Sequence, residues 1–81
     1  MTKLLDVINQ TVGNQLVEDI YLVDISQDLT TIGLDSLGFV SMLLEIENEF
    51  SIFVDEDDMD MDKLNTIEKL HLYILSRTVE Y

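Results

Sequence analysis

Three groups of residues in this chain are of types that do chemistry. The first is Ser36, within Gly33-Leu34-Asp35-Ser36-Leu37. The second is His71, the single histidine. The third is the acidic run Asp55-Glu56-Asp57-Asp58-Met59-Asp60-Met61-Asp62. A catalytic serine needs an adjacent base and a third group that orients the base. Asp35 is too near in sequence to orient a distant histidine, and no G-x-S-x-G turn surrounds Ser36. His71 is therefore read as a helix-surface or half-buried residue without chemical duty, and the chain as no enzyme. The acidic run partly fits a calcium loop through Asp55 and Asp57, but such a loop needs glycine at its sixth place and glutamate at its twelfth. Those places hold Asp60 and Thr66, so an EF-hand is rejected, and only loose, structural divalent binding is left open. What Ser36 offers is a hydroxyl with no activating partner, a handle that another enzyme can modify.

The elements that must position this hydroxyl follow from hydrophobic spacing. Asp35 is a good N-cap residue, and the apolar period starts just after Ser36, so a helix is expected from Ser36 to about Phe50. Ser36 then stands among unpaired backbone N–H groups at the positive end of the helix dipole, where an attached phosphate is tolerated. At 100° per residue Leu37, Val40, Leu43, Leu44 and Phe50 share one broad face, and Ser41, Glu45, Asn48 and Glu49 the opposite one. Phe39, Met42 and Ile46 widen the apolar arc. Phe39 is assigned to the core; Met42 fits either the core or a docking patch beside Ser36.

An earlier helix is expected from Thr2, its N-cap candidate, to about Leu16, with Gly13-Asn14 weakening its end. Val17 to Asp35 is a long connection whose Ile20, Leu22, Val23, Ile25, Leu29 and Ile32 are too many for a free linker. It is read as an ordered loop with a short turn of helix, in preference to a lone strand at residues 21–25. The acidic run is read as irregular or short-helical, anchored by Met59 and Leu64. A last helix runs from Asn65 or Thr66 to about Arg77, with Asn65 and Glu68 spaced as a capping box. Ile67, Leu70 and Ile74 form its inner stripe, with His71 and Thr78 beside them. The expected fold is all-α: three main helices plus one short helix in a small bundle, as one domain over residues 1–81.

Composition narrows the function. The 81 residues are enough for one modest core, and at 47% hydrophobic residues the chain is no disordered acidic tail. Cysteine is absent, which excludes disulfides and thiolate chemistry. No apolar run reaches the length of a membrane span, and the first residues lack a signal-peptide core, so a cytoplasmic, soluble protein is expected; it is also taken to be a monomer. The net charge is −13, from 17 acidic and 4 basic residues, and no Lys or Arg lies between Lys3 and Lys63. Such a surface repels nucleic acid and anionic lipid, and attracts basic patches on protein partners.

Asp35-Ser36-Leu37, preceded by Gly33-Leu34 and followed by Val40, Leu44, Glu47 and Phe50 in the pattern V-x-x-x-L-x-x-E-x-x-F, resembles the acyl carrier protein family over nearly the whole chain. The resemblance implies that Ser36 carries a 4′-phosphopantetheine arm, whose thiol holds acyl or aminoacyl groups. It implies as partners a phosphopantetheinyl transferase and the loading and synthase enzymes, which dock through basic patches. Asp35, Leu37, Val40, Met42, Glu45 and Glu49 are the candidate motif and docking residues. Gly38 and Ser41 stand where many members carry acids, and Asp55 where many carry proline. Gly33-Leu34-Asp35-Ser36-Leu37 looks like fatty acid and polyketide carriers. Ile46-Glu47-Asn48-Glu49-Phe50 and the residues from Asp60 to Thr66 look like D-alanyl and aminoacyl carriers. The cargo stays open between these, and an acidic helical adaptor or a calcium-responsive module without a prosthetic group stands as the reading from another class.

Overall fold

The computed structural model describes residues 1–78. Four α-helices are present: α1 (Thr2–Val12), α2 (Ser36–Phe50), α3 (Met61–Leu64) and α4 (Ile67–Arg77). Two single 3₁₀ turns, Leu29–Ile32 and Glu56–Asp58, punctuate the connections, and no strand occurs among the described residues. The all-α bundle of three main helices and one short one is as the hydrophobic spacing predicts. Residues 79–81 of the expected domain lie outside the described residues.

Helix α1 buries Leu4, Val7, Ile8 and Val12, one stripe at helical spacing, against α2. It ends at Val12, earlier than expected, and Met1 rather than Thr2 occupies its cap position, with no side-chain cap. Helix α4 buries Ile67, Leu70 and Ile74, with His71 and Thr78 half-buried. Its N-cap is Thr66, whose hydroxyl accepts from the Lys69 N–H at 3.0 Å. The Asn65–Glu68 capping box does not form.

The long connection between α1 and α2 is an ordered loop with one 3₁₀ turn. Ile20, Val23, Leu29, Ile32 and Leu34 are buried in the common core, while Leu22 and Ile25 of the expected anchors are exposed. Its aspartates shape it. Asp24 accepts from the Ser26 N–H and hydroxyl at 2.9 and 2.7 Å, and Asp28 from those of Thr30 at 2.9 and 2.7 Å. These local turns satisfy backbone donors that a helix or sheet would otherwise pair. After α2, Leu64 is buried and Met59 packs half-buried against the core, as their spacing predicts. Glu47 of α2 holds that exit, its carboxylate accepting from the buried Val54 N–H at 2.8 Å.

The face on which α2 is buried differs from the one expected. Gly38, Phe39, Met42, Leu43 and Ile46 point inward, and Phe50 is half-buried. Leu37, Val40 and Leu44 point to solvent, at 78%, 45% and 54% exposure. The helix is apolar over more than half its circumference, so periodicity alone does not pick the stripe that meets α1. Met42 is completely buried, which corrects its placement among the docking residues.

Candidate functional site

Ser36 is the first residue of α2, and the chain on either side fixes it there. Gly33 closes the 3₁₀ turn with φ at +117°, a conformation that L side chains rarely adopt. A Cβ at Gly33 would also collide with the carbonyl oxygen of Gln15. Leu34 then drops into the core, and Asp35 caps the helix, its carboxylate accepting from the Gly38 N–H at 2.7 Å. Phe39 is buried one turn on, and its N–H reaches the Asp35 carbonyl at 2.8 Å. Three exposed residues, Asp35, Ser36 and Leu37, are thus held between two buried anchors. The hydroxyl is presented to solvent on a rigid turn.

That geometry suits a passive handle. The Ser36 hydroxyl has no hydrogen-bond partner among the described residues. The nearest carboxylate in sequence, Asp35, is occupied with the cap. His71 lies half-buried on α4 and forms no hydrogen bond with Ser36. The first-turn N–H groups and the helix dipole favour a phosphodiester on this oxygen. The residues present therefore fit a phosphate-linked group on Ser36.

The candidate docking residues do not all share one surface. Leu37, Val40 and Leu44 form an exposed apolar strip running away from Ser36. Glu45, half-buried, and Glu49, exposed, lie off this strip, turned roughly 100° and 140° around the helix from Leu44 and roughly 14 and 20 Å along the axis from Ser36 at 1.5 Å per residue. Asp35 sits at the tip as the cap.

Two contributors were not singled out from the sequence. Gln15, in the turn after α1, lies against both glycines that flank Ser36. Its main chain meets Gly33, and its carboxamide covers the bare α-carbon of Gly38, where a Cβ would fall 2.8 Å from Nε2. The contact is long-range and leaves no local trace in the sequence. The turns at Asp24 and Asp28, by contrast, have a legible signal: an aspartate two residues before a serine or threonine.

A helical bundle that presents an unpartnered serine at a capped helix start has the features that a carrier's attachment handle needs. A family model described as a phosphopantetheine attachment site matches residues 2–74. The D-alanyl carrier protein of Streptococcus sanguinis is 34% identical over 61 residues, covering 69% of this chain and 77% of that protein. The acyl carrier protein of Thermotoga maritima is 30% identical over 76 residues, covering 90% of this chain and 84% of that protein. A D-alanyl carrier protein of Streptococcus gordonii is 33% identical over 61 residues, covering 69% and 77%. No solved structure matches. The chain belongs to the acyl carrier protein family. Its members are non-catalytic carriers of a 4′-phosphopantetheine group, and they work with a phosphopantetheinyl transferase and with biosynthetic enzymes. No helix among the described residues is long and apolar enough to cross a membrane.

Proposed function

We propose that Ser36 is the attachment point of 4′-phosphopantetheine and that the domain shuttles acyl or aminoacyl groups between enzymes of a specialised biosynthetic pathway. The observation that carries this reading is the exposed, unpartnered Ser36 hydroxyl at the capped start of α2. In the loading step the Ser36 oxygen bonds to the β-phosphorus of coenzyme A. The bond to the adenylate half breaks, 3′,5′-ADP leaves, and the hydroxyl proton passes to a base on the transferase. The terminal thiol of the arm then carries the cargo as a thioester.

Leu37, Val40 and Leu44 form the apolar seat of the docking face; Glu45 borders it, and Glu49 adds charge further along α2 on a different side. A partner that fits places an apolar rim beside the arm and basic groups roughly 14 to 20 Å further along α2. The charge steers encounter and keeps the complex short-lived and salt-sensitive, as a carrier that serves several enzymes requires.

The test is loading of the purified apo protein with coenzyme A and a broadly tolerant phosphopantetheinyl transferase. Mass spectrometry is expected to show one added arm on the wild type and none on Ser36→Ala. A wild type that stays unmodified, or a Ser36→Ala protein that is modified, ends the reading.

A second reading of the cargo, an aminoacyl group, is favoured by the two D-alanyl carriers among the relatives. The loaded protein, offered D-alanine with ATP and an adenylating ligase, and separately malonyl-CoA with a malonyltransferase, separates the two by the mass it acquires.

A further inference from the structure

Two of the three glycines in the chain lie three residues before and two residues after Ser36, and both are shaped around one residue, Gln15. Gly33 admits its carbonyl, and Gly38 admits its side chain. The Val17 N–H, bonded to the Ile32 carbonyl at 2.8 Å, fixes the segment that carries Gln15 against the entry to α2. The residue is nonetheless exposed, and its carboxamide makes no hydrogen bond within the described residues. An amide held in place by packing, with its donors and acceptor still open, stands at the rim of the turn that presents the hydroxyl.

In a helical projection Gly38 lies on the same flank as Ser41 and Glu45, next to the exposed Leu37. An enzyme that brings a phosphorus atom to the Ser36 oxygen approaches this end of α2, the end against which Gln15 also stands. No Lys or Arg occurs between Lys3 and Lys63, so this stretch of sequence supplies the tip with no cationic donor. A carboxylate here would call for a cation on the partner. A neutral amide calls for a complementary hydrogen-bonding pair and discriminates against partners that lack one.

We propose that Gln15 is a specificity-determining residue, read directly by the phosphopantetheinyl transferase that loads this chain, with Gly38 kept small to seat its side chain. The inference rests on the attachment reading above. Gln15→Glu keeps the shape over Gly38 while removing both donors and adding a charge. Asn14→Asp, at the exposed neighbour, adds the same charge without touching the amide.

The experiment measures kcat and KM for loading by the transferase of the same host, with coenzyme A saturating. Gln15→Glu and Gln15→Ala are expected to raise KM for the carrier at least about fivefold with kcat held within about twofold. Asn14→Asp is expected to stay within about twofold of wild type in both constants. Gly38→Ala, which pushes the amide aside without deleting it, is expected to raise KM in the same direction. Thermal melts by circular dichroism show whether each variant is folded at the assay temperature; Gln15→Glu, which preserves the packing, decides if Gln15→Ala is not. An unchanged KM for Gln15→Glu, or an equal rise for Asn14→Asp, overturns the proposal while leaving the attachment reading intact. A wild type that is not loaded at all overturns the attachment reading itself, and this one with it.

Discussion

The two connections of this bundle are both acidic, yet they are held in different ways. The connection between α1 and α2 contains no cation and is pinned from inside. Ile20 and Leu29 are almost wholly buried, and Leu29 and Glu68 tie it to the start of α4 through backbone bonds, Leu29 N–H to the Asn65 carbonyl at 2.8 Å and Glu68 N–H to the Ile25 carbonyl at 3.0 Å. The connection after α2 has core anchors too, Val54 and Leu64, but is also pinned from outside. Arg77 reaches Asp55 at 2.8 Å and Asp58 at 3.1 Å, Lys63 reaches Asp58 at 3.7 Å, and Lys69 reaches the Asp62 carbonyl at 3.0 Å. Three of the four cations in the chain are engaged there, and the fourth, Lys3, lies over the Phe50 ring. The connection that leads into Ser36 therefore depends on packing and turn chemistry. The one remote from it adds screened charge to its buried anchors.

The largest effect that tests this contrast is Leu29→Ala. Truncating a side chain with no solvent exposure is expected to cost about 2–5 kcal/mol in urea unfolding and to loosen the approach to Ser36. A loss below about 1 kcal/mol would show that the connection is not anchored in the core. Gly33→Ala comes next. It forces a side chain into a positive φ and against the Gln15 carbonyl, and is expected to cost about 1–3 kcal/mol, with slower loading of the arm. Arg77→Ala is expected to do far less. Its effect on the melting temperature should be visible in dilute buffer and vanish in concentrated salt, while loading at Ser36 stays unchanged. A salt-independent loss would mean that Arg77 acts through packing on the Tyr73 ring, 4.8 Å away.

Most of the architecture was legible because it rests on local rules. Asp35 as cap, the span of α2, the inner stripe of α4 and the anchors Leu64 and Met59 all follow from residue type and spacing. The side of α2 that meets α1 was not legible. Leu37, Val40 and Leu44 are as apolar as Phe39, Met42 and Ile46, and only tertiary packing distinguishes the exposed strip from the core stripe. Gln15 was invisible for a related reason, since its role comes from two glycines 18 and 23 positions further along the chain. The aspartates of the first connection entered the sequence reading only through the net charge. Several of them are also turn acceptors, which the D-x-S and D-x-T spacings could have revealed.

That last distinction has a pH signature, the smallest of the expected effects. The Asp28 carboxyl is held below its ordinary range by the Thr30 hydroxyl and N–H. Asp24 is lowered in the same way by the Ser26 N–H and hydroxyl. A carboxyl lowered in the folded state stabilises the fold at pH above its unfolded value of about 3.9, and that contribution is lost as pH falls through the folded value below it. Acidification also relieves repulsion among the remaining carboxylates, so the wild-type curve alone mixes two opposite trends. Asp28→Asn separates them. Asparagine retains the capping geometry but not the charge, so the stability gap between variant and wild type is expected at neutral pH and should close below about pH 4. A variant as stable as wild type at neutral pH would mean that Asp28 holds the turn by shape alone. The connection that presents Ser36 would then owe nothing to its own carboxylate charge.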